Sequence, residues 1–157
     1  MTTIAGLPAH PLFVHLAVVA IAVAALLAIL TAIWPAARTR LGFLTPLVAV
    51  VALIVTPLTT SSGEALEEQV PRTAALHHHT ELGDQMIYWV APLFVLVVLF
   101  WALRIDAVTE RLRFLSTADA QRWSAVILGA GCVVIGIGTL VMVILVGHSG
   151  ARAVWGG

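Results

Sequence analysis

The chain has 157 residues, 61% of them hydrophobic and 10% charged, against roughly 25% charged in an average soluble domain. So few charges cannot clothe a water-soluble fold of this size, and eight basic residues balanced by eight acids provide no basic face for nucleic acid. An ordinary soluble enzyme, a disordered tail and a DNA-binding module are excluded, which leaves an integral membrane protein.

Four stretches free of Asp, Glu, Lys and Arg follow in chain order: Pro11–Trp34, Leu41–Thr60, Met86–Leu103 and Trp123–Gly147. About 20 apolar residues rising 1.5 Å each cross a hydrocarbon core of roughly 30 Å, so each stretch predicts a transmembrane helix. The expected fold is all-α: one transmembrane domain over residues 1–157, built as a four-helix bundle. The first stretch is too long for a cleaved signal, and no basic residue precedes it. Pro11 suits a first helical turn. Pro46, Pro57 and Pro92 are tolerable where neighbouring helices cover the carbonyls they free.

The connections are unequal. Pro35–Arg40 reads as a short turn, Ser61–Gln85 as a long polar loop on the opposite side, and Arg104–Arg122 as a basic loop back on the first side. An even number of spans puts both termini on the face of the long loop. That face carries Arg72 and Arg152, and the other carries Arg38, Arg40, Arg104, Arg111, Arg113 and Arg122. The positive-inside rule then places the termini outside the cytoplasm of a bacterial inner-membrane, multi-pass protein. Trp34, Trp101 and Trp123 fit the inner boundary, and Trp89 and Trp155 the outer. Ile105, Val108, Leu112 and Leu115 share a helical face beside Arg111 and Arg113. They suit either a helix lying on an anionic leaflet or a solvated helical extension. Ser116 and Asp119 have the spacing of a capping box for the fourth helix.

On this topology all six histidines fall on the outer face. His10 and His15 open the first helix, His77, His78 and His79 approach the third, and His148 ends the fourth. Imidazoles at one level of a bundle are the raw material of a haem or metal site. Haem b takes two, from different helices. His10 and His15 differ by five positions, about 140° around a helix, and so do not share one face. Val19, Ala22 and Leu26 lie on the side of His15, where small residues leave room for a flat ring. The plain alternative for any one histidine is a solvated residue at the membrane–water boundary.

Gly129, Gly131, Gly136 and Gly138 thin the fourth helix, with small-xxx-small pairs at Ala125/Gly129 and Cys132/Gly136. Close helix packing is the commoner use of such residues, and a resting macrocycle is the other. Cys132 reads as a small buried apolar residue. Glu64, Glu67, Glu68, Glu81 and Asp84 on the outer face would bind zinc or copper with the histidines or orient ligand imidazoles. No phosphate loop, nucleophile elbow or zinc-protease motif is present, and no acid or base sits at mid-membrane to serve a proton relay.

The opening GLPAHPLFVHL, the HTELG at His79–Gly83 and the closing GHSGARAVWGG resemble a bacterial membrane family known as domain of unknown function 2231. Its members begin with a Pro-Leu-His-Pro-x-x-Val-His-Phe-Pro-like segment, carry a His-x-x-Leu-Asn/Gly segment before the third helix and end with Gly-His-x-Gly. The resemblance covers nearly the whole chain and matches His10, His15, His79 and His148. His77 and His78 have no counterpart. Ala9 stands where leucine is usual, and Leu16-Ala17 replaces Phe-Pro. Relatives joined to Rieske iron–sulfur or cytochrome c domains imply membrane electron transfer, by association of domains alone.

These signs lead to an expected haem-b-binding electron carrier with its site near the outer face. His15 and His79 are the first choice of axial ligands, with His148 and His10 as alternatives. Arg152 and Arg72 are candidates to pair with the haem propionates. A non-catalytic accessory subunit of a membrane oxidoreductase and a copper- or zinc-binding protein without haem stand beside that reading. An electron carrier or subunit is favoured over an enzyme. The expected partners are the bilayer and an extracytoplasmic Rieske or cytochrome c protein, with homo-oligomerisation open and no nucleic acid.

Overall fold

The computed structural model describes residues 3–4, 7–71, 73–112 and 117–155, with side chains described from residue 12 onward. A two-residue antiparallel pair, β1 (Thr3–Ile4) and β2 (Leu7–Pro8), leads into α1 (Ala9–Ile33). Then come α2 (Pro35–Leu41), α3 (Leu44–Glu67), α4 (Ala74–Gln85), α5 (Ile87–Ala102), α6 (Asp106–Arg111) and α7 (Ala118–Trp155). Four helical stretches are long and apolar enough to cross a membrane: Leu12–Ile33, Leu44–Glu67, Ala74–Ala102 (α4 and α5 in succession) and Ala118–Trp155.

Two connections differ from expectation. The segment after Trp34 is a helix rather than a turn. Proline forces the residue before it into extended backbone, so Trp34 (φ −119, ψ 106) breaks α1 and Pro35 opens α2 at its first turn. Gly42, at φ 41, then supplies the left-handed residue that turns the chain into α3. The polar stretch 61–85 is mostly helical as well. The α3 helix runs on to Glu67, and Thr73 caps α4 by accepting the Leu76 N–H at 3.1 Å. Beyond the lipid, a helix with polar side chains has its donors and acceptors solvated, so hydropathy alone hides it.

At the inner connection α6 is short, and Leu115 and Arg113 lie outside the described residues. So does Ser116 of the expected capping box. Thr117 takes the capping role, its hydroxyl accepting the Ala120 N–H at 3.2 Å.

The α1 helix packs against α3 and α7, and α5 against the same two, so α1 and α5 lie across the diagonal of the bundle. Contacts fix the directions. At one end Thr59 of α3 meets the Phe13 carbonyl of α1, and His79 of α4 meets Ser149 of α7. At the other, Arg38 stacks over Phe100 of α5, whose ring lies beside Gly129 of α7. The helices therefore run up-down-up-down between a histidine end and an arginine end.

Each spanning helix buries a seam with steps of three or four. The seams are Ala17, Ala20, Ala24 and Ala28 on α1, Thr45, Ala49, Ala52 and Thr56 on α3, Val90, Leu93, Val97 and Phe100 on α5, and Gly129, Cys132, Gly136 and Thr139 on α7. In lipid, burial of apolar surface adds little between helices, because the tails are as apolar as leucine. Close van der Waals approach through small residues has to hold the bundle. The hydroxyls of Thr31, Thr56 and Thr139 return to carbonyls of their own helices at 2.8 Å, so the seams leave these groups satisfied.

Candidate functional site

A cavity of about 430 Å³ opens at the histidine end, between α1, α3, α4 and α7. Its walls are mostly apolar, with Val14, Val18 and Ile21 from α1 and Val143 and Val146 from α7. Small residues make the space: Thr56, Thr60 and Gly63 on α3, Gly83 on α4, and Gly147, Gly150 and Ala151 on α7. Thr59 sets the α3 wall against α1, its hydroxyl 2.8 Å from the Val55 carbonyl of its own helix and 3.3 Å from the Phe13 carbonyl.

His79 and His15 both line this cavity, one from α4 and one from α1. His79 is held on two sides. Its Nδ1 lies 3.0 Å from the Ser149 hydroxyl, which donates its own proton to the Val146 carbonyl at 2.9 Å. Both the Ser149 hydroxyl and the His79 ring thus meet at the Val146 carbonyl. Where Ser149 gives it the proton, the imidazole donates from Nδ1, and its Nε2 lone pair is the one able to accept a proton or bind a metal. The ring rests on Gly150, where a Cβ would stand 3.0 Å from Cε1 and 3.4 Å from each nitrogen.

The remaining candidates are dispersed. His148 is exposed and, with Arg152, stands on the side of α7 away from Gly147, Gly150 and Val154, so neither lines the cavity. His10 lies in the first turn of α1 with its side chain outside the described part, and Arg72 lies outside the described residues. His77 makes an exposed pair with Glu81 at 3.3 Å, one turn on, and His78 is exposed. Glu64, Glu67 and Asp84 reach the cavity, whereas Glu68 and Glu81 do not. Among the described residues, no group of three or more His, Cys, Asp and Glu is placed to hold a metal ion.

The room beside α1 is not where the sequence put it. Val19 and Leu26 are 61% and 55% exposed and point away from the bundle, and the wall is formed by Val14, Val18 and Ile21. The glycines of α7 serve helix packing. A Cβ would sit 3.6 Å from Phe100 at Gly129, 3.1 Å from Leu96 at Gly131, 2.8 Å from Ile29 at Gly136 and 1.9 Å from Trp89 at Gly138. Cys132 is fully buried between these glycines.

Ser149 and Gly150 are the functional candidates that sequence reasoning missed. The closing GHSG segment carries the signal: its serine and second glycine seat His79, while its histidine does not line the cavity. No curated protein and no solved structure matches the chain. Residues 6–157 match the DUF2231 family, described as predicted membrane proteins, and the chain belongs to that family.

Proposed function

We propose that the protein is a membrane electron-transfer protein that binds b-type haem in this cavity, where His79 and His15 would hold the iron. The observation that carries the reading is the orientation of His79. An imidazole on a cavity wall, with one ring nitrogen held by a hydroxyl of the neighbouring helix, is the arrangement that metal-ligating histidines use.

The donor set favours haem over a bare copper or zinc ion. Such an ion takes three or four protein ligands, and the described residues gather no group of three. Haem brings four nitrogens of its own and asks the protein for one or two imidazoles. The cavity volume is within the range of roughly 300–1,000 Å³ common for small-molecule sites. When bound, haem would supply one-electron exchange at this end of the bundle.

The chain's residues would do the rest. Ser149 supports one tautomer of His79, Gly150 leaves space for its ring, and Val14, Val18, Ile21 and Val143 keep water from the cavity wall. The arginine distribution supports an outward-facing cavity, open to an extracytoplasmic redox partner of Rieske or cytochrome c type. Arg152 does not line the cavity.

The test is the absorption spectrum of the detergent-purified protein from haem-replete bacteria, with and without dithionite, followed by a hemin titration. The expected result is a Soret band that sharpens on reduction and saturates at one haem per chain. A colourless preparation that takes up no hemin overturns the proposal. If it also co-purifies with a larger oxidoreductase, the accessory-subunit reading replaces it.

A further inference from the structure

We propose that the arginine end carries a site for one anionic phospholipid, its phosphate held by Arg38 and Arg122 and one acyl chain lying between α1 and α7. A groove of about 410 Å³ runs there, with Arg38 and Arg122 at one end and Ile33, Ala125, Gly129 and Val133 along it. Val133 stands eleven residues beyond Arg122, roughly 16 Å deeper at a helical rise of 1.5 Å. That is about half of a 30 Å hydrocarbon core, the depth of one leaflet.

Arg38 is positioned rather than free to wander. Its Nε donates to the Thr31 carbonyl at 2.7 Å and Nη2 to the Ala32 carbonyl at 2.6 Å, while the guanidinium stacks 4.6 Å from the Phe100 ring centre. Arg104 donates in turn to the Arg38 carbonyl. Among the described residues neither Arg38 nor Arg122 makes an ion pair; that of His77 with Glu81 lies at the opposite end. A guanidinium matches a phosphate in shape and charge, and a preset one loses little freedom on binding it.

A separate small cavity adjoins Arg38 on the side of α3 and α5. The Thr45 hydroxyl, on a residue 4% exposed, has no hydrogen-bond partner among the described residues. It shares with Arg38 and Arg104 a cavity of about 20 Å³, room for about one water. If the arginine-rich end faces the cytoplasm, it meets the anionic leaflet, where basic pockets between helices take phospholipid headgroups.

Native mass spectrometry in detergent tests this with titrated palmitoyl-oleoyl phosphatidylglycerol and the matching phosphatidylcholine. One phosphatidylglycerol should be retained in preference to phosphatidylcholine, and millimolar inorganic phosphate should not displace it. Arg122→Gln, exposed and outside the bundle seams, should weaken retention about fivefold, the worth of one cation at an anionic surface. Ala130→Phe, which fills the groove and leaves every charge in place, should weaken it too. Arg40→Gln, a cation of the same end that does not line the groove, should not. Equal retention of the two lipids, or wild-type retention by both the Arg122 and Ala130 variants, overturns the proposal. Displacement by free phosphate overturns it in favour of a simple anion site. A dimer that Ala130→Phe dissociates would make the groove an interface between copies and overturn it as well.

Discussion

Ser149 can give its single hydroxyl proton to one acceptor, and the Val146 carbonyl takes it. With the proton there, Ser149 acts as acceptor for the Nδ1 proton of His79 and so supports one tautomer of the ring. Removing the ring and removing its support should therefore have different effects. His79→Ala should abolish hemin binding, and Ser149→Ala should weaken it about tenfold, the lower end for losing the partner of a ligating imidazole. His15→Ala should leave haem on one imidazole, with the absorption of an iron that has an open position. His77→Ala and His78→Ala should titrate like wild type, since both rings are exposed and off the cavity. Equal hemin titrations for wild type, His15→Ala and His79→Ala would end the idea of a shared ligand pair. The two cavity histidines were legible in the sequence as members of a cluster on one face. Their supports were not, because a serine and a glycine in an apolar helix look like ordinary packing residues until the partner helix is in place.

At the scale of the helix, α7 separates glycines that packing demands from one that it does not. A Cβ at Gly138 would stand 1.9 Å from a Trp89 ring carbon, and the ring, wedged into the bundle, has to move. Gly138→Ala should cost about 1–3 kcal/mol, the usual penalty of overpacking, read as a shift in the unfolding transition in mixed micelles. Gly147 has nothing within 4 Å of the same position. Its alanine variant should unfold with the wild type. The spans were legible because charge-free runs of this length have no other use. Their buried faces were not: the helices are apolar all round, so no hydrophobic stripe marks the side that meets a neighbour. The break at Trp34 was there to be read from Pro35, while α4 passed for a loop because its polar residues carry no apolar period.

For the whole molecule, the prediction is one of sidedness. A reporter fused at the C-terminus should be active outside the cytoplasm, and one inserted between Arg104 and Arg122 should be active inside. The six-to-two division of arginines between the ends motivates this. The reverse labelling would turn the bundle over and with it the proposed partner of the histidine end. The length of α7 adds a dependence on the membrane itself. Its 38 residues extend roughly 57 Å, and the charge-free part alone, Trp123–Gly147, covers about 37 Å against a core of roughly 30 Å. The helix has to lean or stand proud, and by how much depends on the thickness of the bilayer. Ser149 and Gly150 ride on the protruding stretch, so lipid thickness sets how deeply the seat of His79 is immersed. Hemin should be retained more tightly in vesicles of long-chain lipid than in short-chain ones, making the protein a gauge of the membrane that holds it.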